Sequence, residues 1–307
     1  MKLTLRHCCT FVMALLFSAQ SFSQINLASP VPVDPNVKIG KLSNGLTYYI
    51  RKNAKPEKKV ELRLAVNAGS VLEEADQRGL AHFMEHMIFN GSKNFPKNEL
   101  VDYLQKIGVQ FGADLNAYTG FDETVYILPI STDDPAVVEK GFTVLEDWAF
   151  NNLMDKSEID KERGVVLEES RLSKGAQQRM LRQYFPKLFN GSKYAERLPI
   201  GTDSILKHFS YATLNRFYKQ WYRPDLMAVI VVGDIDPAQM EKKIKAHFGN
   251  YKNPASAPQR PSIIPIKTRT KPEAMVITDE ENTNTILQVF NSIRLSPKIK
   301  TWTDYRR

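Results

Sequence analysis

Cysteine is almost missing from this 307-residue chain: only Cys8 and Cys9 occur, side by side near the start. A thiolate metal site or a disulfide framework would need cysteines spread along the folded body, so both are excluded there. A run of apolar residues long enough to cross a bilayer is lacking at the N-terminus too. Lys2 and Arg6 precede an apolar stretch over 9–17, and small residues follow at Ser21 and Ser23. About twenty apolar residues are needed to span, so this pattern predicts a signal peptide over 1–23, cleaved after Ser23, rather than a retained anchor. Neither cysteine closes the apolar stretch, which argues against a lipid-anchored cysteine. The expected mature protein is exported, periplasmic or secreted, without cysteine and without a stable membrane span. Clustered positive charge is also scarce. The formal net charge of +8 falls to +6 once Lys2 and Arg6 leave, and the one small basic run, Lys55-Pro56-Glu57-Lys58-Lys59, reads as an exposed loop. A nucleic-acid partner is therefore not expected.

Histidine is equally sparse, with five in the chain, yet two of them fall in one pentapeptide, His82-Phe83-Met84-Glu85-His86. Residues four apart share a helix face, so His82 and His86 can each offer an imidazole nitrogen to one metal ion, and zinc accepts that pair. Glu85 stands beside them, placed to take a proton from a zinc-activated water as general base. The order H-x-x-E-H inverts the commoner H-E-x-x-H of metalloproteases. Gly79 before the motif and Asn90-Gly91 after it bracket a helix whose apolar positions are Leu80, Phe83, Met84, Met87 and Ile88.

A catalytic zinc needs a third protein ligand and an open position. The acidic run from Glu162 to Glu169 is the best source. Glu162 and Glu169 are seven apart, two helical turns, and share a face, whereas Glu168 points about 100° away. Glu169 is the expected third ligand, and Glu162 is expected to orient a histidine from behind. A solvated charged helix, with pairs such as Glu158 and Lys161, is the plain alternative for such a run.

H-x-x-E-H followed by Glu162-Arg163, Val165-Val166 and Glu169 resembles the pitrilysin/insulinase family of zinc metallopeptidases, the inverzincins. Further segments resemble the family in order: Lys41-Leu42-Ser43-Asn44-Gly45-Leu46-Thr47, Val66-Asn67-Ala68-Gly69-Ser70, Gly79-Leu80-Ala81-His82 and Asn116-Ala117-Tyr118-Thr119. The resemblance implies one Zn2+ per chain on His82, His86 and Glu169, with Glu85 as base. It implies that Asn116 and Ala117 lie on a sheet edge where an extended peptide adds as a further strand, held through its main chain and so with weak sequence selectivity. The wider spacing between His86 and Glu169 implies a short insertion. Family members pair two such halves across a closed chamber, and an arginine and a tyrosine of the other half assist catalysis; Tyr305 and Arg306 are too near the end to be assigned those roles.

The predicted fold is α+β, a two-layer domain of mixed or antiparallel sheet packed with helices. Residues 60–66 alternate apolar and polar as a half-buried strand; residues 110–130 read as two strands around Thr119-Gly120-Phe121-Asp122; residues 226–232 form an apolar run suited to a central strand. Helices are expected over 97–107, ended by Gly108, over 135–150, through Glu162, and over 237–248 with Asp236 as N-cap. The domain organisation expected is a signal peptide over 1–23, an N-terminal extension over 24–36, a zinc peptidase domain over 37–249 and a proline-bearing linker over 250–265. Residues 266–307 would begin a second, similar domain, with strands over 274–278 and 286–293, and leave it incomplete, as in a truncated chain. The function expected is a zinc-dependent metalloendopeptidase acting on peptides or small unfolded proteins, weak or inactive without a partner half. The alternative is a non-catalytic peptide-binding or partner subunit of a two-part peptidase, and Glu85 counts against it, because capture alone needs no base.

Overall fold

A computed structural model describes residues 26–97, 99–109, 116–291 and 299–306. The predicted signal peptide lies outside the described residues, as do 110–115 of the predicted hairpin. Pro35–Gln288 form one compact unit, and the described residues outside that range form another. In the small unit, Pro30 bridges to Thr301, the Val31 amide donates to the Lys300 carbonyl (3.0 Å), and the Trp302 amide donates to Ser29 (3.2 Å).

The large unit is built on a six-stranded sheet ordered β1-β2-β6-β3-β5-β4. Its strands are β1 (Val37–Lys41), β2 (Thr47–Lys52), β3 (Lys59–Val66), β4 (Asn116–Thr119), β5 (Thr124–Ser131) and β6 (Met227–Gly233). All neighbours are antiparallel except β2 and β6, which run parallel. In β3, Val60, Leu62, Leu64 and Val66 are buried while Glu61, Arg63 and Ala65 are half-buried, the period-2 alternation of a sheet whose one face carries the core. On that face pack the helices α1 (Leu80–Met87), α3 (Pro135–Phe150) and α8 (Pro237–Phe248), enclosing Phe83, Tyr126, Phe142, Trp148 and Phe248. Sheet and helices segregate in this way in an α+β domain.

Local chemistry accounts for where the predicted helices begin and end. Asp134 and Asp236 accept from the first amides of α3 and α8, and each helix has proline at its first position, where no donor is lost. Helix α2 (Glu99–Lys106) falls inside the expected range and is followed by Gly108 at φ +82°. Helix α4 (Lys156–Leu172) is capped by Asp155, which accepts from Ser157 and Glu158. Helices α5 (Ala176–Leu188), α6 (Asp203–His208) and α7 (Tyr211–Trp221) complete the unit, and α9 (Trp302–Arg306) belongs to the small one.

One expectation is corrected. Residues 274–278 and the described part of 286–293 form no strand. Val276 and Leu287 stand 91% and 90% exposed, and among the described residues no strand lies beside them to take up a strand's amides and carbonyls. The proline-bearing stretch 250–265 is tied to other parts of the large unit: Arg223 donates to the Pro258 carbonyl (2.9 Å), and Arg260 donates to the carbonyls of Asn67 (2.8 Å) and Asp122 (3.3 Å).

Candidate active site

Helix α1 begins at a position that demands glycine. Gly79 has φ +100°, and a Cβ there would come within 3.0 Å of the Gly201 Cα; a Cβ on Gly201, itself at φ +71°, would stand 2.4 Å from the Gly79 Cα. Two bare backbones thus touch where the helix starts. The first amides of the helix region are taken by Glu73, whose Oε1 accepts from Gly79 (3.0 Å) and Ala81 (2.9 Å). Glu73 is wholly buried, and among the described residues its Oε2 has no hydrogen-bond partner. Burial drives its carboxyl up to about 8, against the pull of the two amides and of Arg197 and Lys193.

From this fixed start, His82 and His86 emerge one turn apart with their Nε2 atoms 3.2 Å from each other. Glu169 arrives from α4, its oxygens 3.6 Å from His82 Nε2 and 3.4 Å from His86 Nε2. His82, His86 and Glu169 form a group whose donor atoms lie within 4.8 Å of one another, close enough to share one ion. Tetrahedral zinc with bonds of about 2.0–2.1 Å to nitrogen sets its donors ~3.3 Å apart, so the spacing of the three fits. The donor chemistry fits as well, two imidazoles and a carboxylate.

Glu162 stands behind His86. One of its oxygens is 2.7 Å from His86 Nδ1, and the other accepts from Asn90 Nδ2 at 2.6 Å. Occupation of Nδ1 leaves Nε2 as the nitrogen available to a ligand. Asn90 sits in the turn after α1, which Asp147 holds against α3 by accepting from Ser92 Oγ (2.6 Å) and the Asn94 amide (2.8 Å). Helix α4 is held from its other side: Arg163 donates to the carbonyls of Leu206 (3.0 Å) and Phe209 (2.8 Å) and lies on the Phe209 ring. Glu168 points elsewhere, pairing with Arg171.

The electrostatics of the cluster are those of a charged site. Burial, with His86 beside it, pulls the His82 imidazole down to about 4. Burial also pulls on His86, but the carboxylates of Glu162 and Glu169 outweigh it and hold that imidazole up to about 9. The hydrogen bond from His86 lowers Glu169, and Glu162 is lowered too, because His86 and Asn90 overcome the cost of its burial. Glu85 is raised by burial, partly offset by a hydrogen bond of 2.5 Å from Thr119 Oγ1 to its Oε2. His82 Nδ1 is buried and, among the described residues, has no hydrogen-bond partner.

Thr119 ends β4, the outermost strand of the sheet on the side of α1. Asn116 and Ala117 lie on the same strand, Asn116 exposed and Ala117 half-buried, and pair with Ile127 and Tyr126 of β5. Among the described residues no strand pairs with the outer side of β4. The structure therefore gathers His82, Glu85, His86, Glu162 and Glu169 into one cluster and puts Asn116 and Ala117 on the neighbouring edge. Thr119, Asn90 and Glu73 are the additions that the motifs did not single out. Thr119 follows Asn116 by three in a quoted segment, but its partner is 34 residues away in sequence, and no spacing rule reaches that far.

The family model described as insulinase (peptidase family M16) matches residues 48–198, and the one described as the peptidase M16 inactive domain matches 208–301. The chain is 41% identical over 247 residues to a probable zinc protease PqqL of Haemophilus influenzae, an alignment that takes in 80% of this chain and 27% of that protein. Among solved structures, the first half of the periplasmic protease PqqL from Escherichia coli superposes with a TM-score of 0.74 at 35% identity, over 78% of this chain and 51% of that one. Pitrilysin shares the fold, with a TM-score of 0.65 at 21% identity over 80% of this chain and 26% of its own. The chain spans about a quarter to a third of the length of the curated relatives it matches. Two matching domain models, a zinc-protease relative and a common fold together establish that the chain belongs to peptidase family M16, the insulinase family.

Proposed function

We propose that this chain carries the zinc site of a metalloendopeptidase that cleaves extended peptides or small unfolded proteins. The observation that carries the reading is the convergence of His82 Nε2, His86 Nε2 and a Glu169 carboxylate, with the carboxylate of Glu85 next to them in the helix. Held by those three residues, Zn2+ would polarise the scissile carbonyl and make a water acidic enough to lose a proton near neutral pH.

The remaining work falls to side chains of this chain. Glu85 accepts the proton as the water oxygen bonds to the carbonyl carbon, and delivers it to the amide nitrogen as the carbon–nitrogen bond breaks. Glu162 keeps His86 in one tautomer and one orientation. The free edge of β4 receives the peptide as an added strand, with Asn116 and Ala117 in the pairing segment, so that affinity comes from main-chain hydrogen bonds. Donors for the developing oxyanion are expected from a second half-molecule, the part that residues 266–307 would begin after a domain over 37–249. An exported, periplasmic setting is in keeping with the Escherichia coli relative, and among the described residues no helix is long and apolar enough to cross a membrane.

The test is hydrolysis of a quenched fluorescent peptide library by the zinc-loaded chain beside Glu85→Gln, with zinc content measured for both. Hydrolysis lost in Glu85→Gln at equal zinc supports the reading. Hydrolysis that survives Glu85→Gln refutes it, and zinc-bound protein that binds peptides without cutting them supports a capture subunit instead.

A further inference from the structure

The base Glu85 does not stand alone. Thr119 Oγ1 lies 2.5 Å from Glu85 Oε2 and 3.5 Å from Thr124 Oγ1, and Thr124 Oγ1 is itself 2.9 Å from the Ala68 carbonyl oxygen. A hydroxyl has one proton to give. A carbonyl oxygen can only accept, so the Thr124 proton goes to Ala68, and the Thr119 proton is left for the nearer of its two neighbours, the carboxylate. Directions along this short chain are thereby fixed, ending at Oε2. Among the described residues Oε1 has no hydrogen-bond partner.

Both threonines are held where they are. Thr119 and Thr124 face each other as the last pair of the β4–β5 ladder, closed by a turn in which the Gly120 amide donates to the Glu123 carbonyl at 2.8 Å. The Gly69 position is pressed against that turn: a Cβ there would meet the Gly120 oxygen at 2.5 Å, and the amides of Ser70 and Val71 donate to the carbonyls of Gly120 (3.1 Å) and Phe121 (2.9 Å). Thr124 is fully buried. The hydroxyl that meets the carboxylate is thus part of a strand end with little freedom, and β-branching limits the rotamers of Thr119 itself.

We propose that Thr119 is the positioning residue for the base: its hydroxyl holds Glu85 by Oε2, leaving Oε1 to receive the proton, and links the base to the strand on which the peptide docks. The inference rests on the reading of Glu85 as general base. A hydroxyl that merely satisfied a buried carboxylate would matter to folding and not to turnover. As a positioning group it matters to turnover with folding and peptide binding intact, because a carboxylate free to rotate spends less time aligned with its proton donor.

Thr119→Val removes the hydroxyl and keeps the shape; Thr119→Ser keeps the hydroxyl. With zinc-loaded protein and a fluorogenic peptide, Thr119→Val should lower kcat about ten- to a hundred-fold, the range for loss of a hydrogen bond to a charged group. KM and zinc content should stay at wild-type values, and Thr119→Ser should recover most of the rate. If Thr119→Val does not fold, Thr119→Ala takes its place with the same readings. Unchanged kcat, a higher KM at unchanged kcat, or no recovery by serine overturns the proposal. Loss of hydrolysis in Glu85→Gln alongside an indifferent Thr119→Val would sink this inference and spare the reading of the base. Should wild type itself prove inactive, crystal structures of zinc-loaded wild type and Thr119→Val decide: the proposal requires the Glu85 carboxylate to turn away from its wild-type position, and superposition of the two overturns it.

Discussion

Glu73 offers a clean perturbation, because it is a carboxyl wholly removed from water and yet joined to the start of the helix that bears both histidines. Its usual value of 4.5 is raised by burial to about 8, so between those values the folded protein holds a proton there that the unfolded chain has released. A raised folded value means that the stabilising contribution is complete below pH 4.5 and is lost as pH rises through 8. Within the window each pH unit is worth about 1.4 kcal/mol, so raising pH from 6 to 8 should cost about 2 kcal/mol. For a unit of this size that is a fall in Tm of about 4–8 °C. Glu73→Gln keeps an oxygen to accept from Gly79 and Ala81 but cannot ionise. The assay is thermal unfolding followed by circular dichroism from pH 5 to 9 for both proteins. Groups that titrate elsewhere, including the histidines of the cluster, are common to both and cancel in the difference. The wild type should lose ground to Glu73→Gln steadily up to pH 8 and hold level above it. A difference that does not change with pH would refute the reasoning, because a carboxyl indifferent to pH in this range is not one held neutral by burial.

Glu162→Gln should lower zinc affinity about ten- to a hundred-fold, as read by competition with a chromogenic chelator, because His86 loses the carboxylate that orients it; unchanged affinity would remove Glu162 from the site. Ala117→Pro deletes an amide on the sheet edge and should raise KM for peptides with zinc content unaltered; an unchanged KM would move peptide docking away from β4. Gly201→Ala puts a Cβ 2.4 Å from Gly79 and should cost more than 1 kcal/mol in denaturant unfolding, while the same change at Gly164, which has nothing within 4 Å, should be mild or stabilising.

Sequence alone determined what local chemistry can determine. The i,i+4 spacing of His82 and His86, the i,i+7 spacing of Glu162 and Glu169, the aspartate that caps α8, and the alternation in β3 are all properties of helices and strands taken singly, and the structure reproduces each. The strands expected over 274–278 and over the described part of 286–293 do not form for the complementary reason: β propensity alone cannot make a strand, which also needs a neighbouring strand to hydrogen-bond. Only tertiary structure decided that Glu169 reaches the two histidines, since the 82 residues between His86 and Glu169 allow α4 any placement until the sheet order and Arg163's hold on Leu206 and Phe209 fix it. It likewise decided that Thr119 meets Glu85, that Glu73 is buried at the head of α1, and that Gly79 and Gly201 touch. Each of these depends on packing between segments remote in sequence, where no periodicity carries the information and burial sets both the geometry and the charge state.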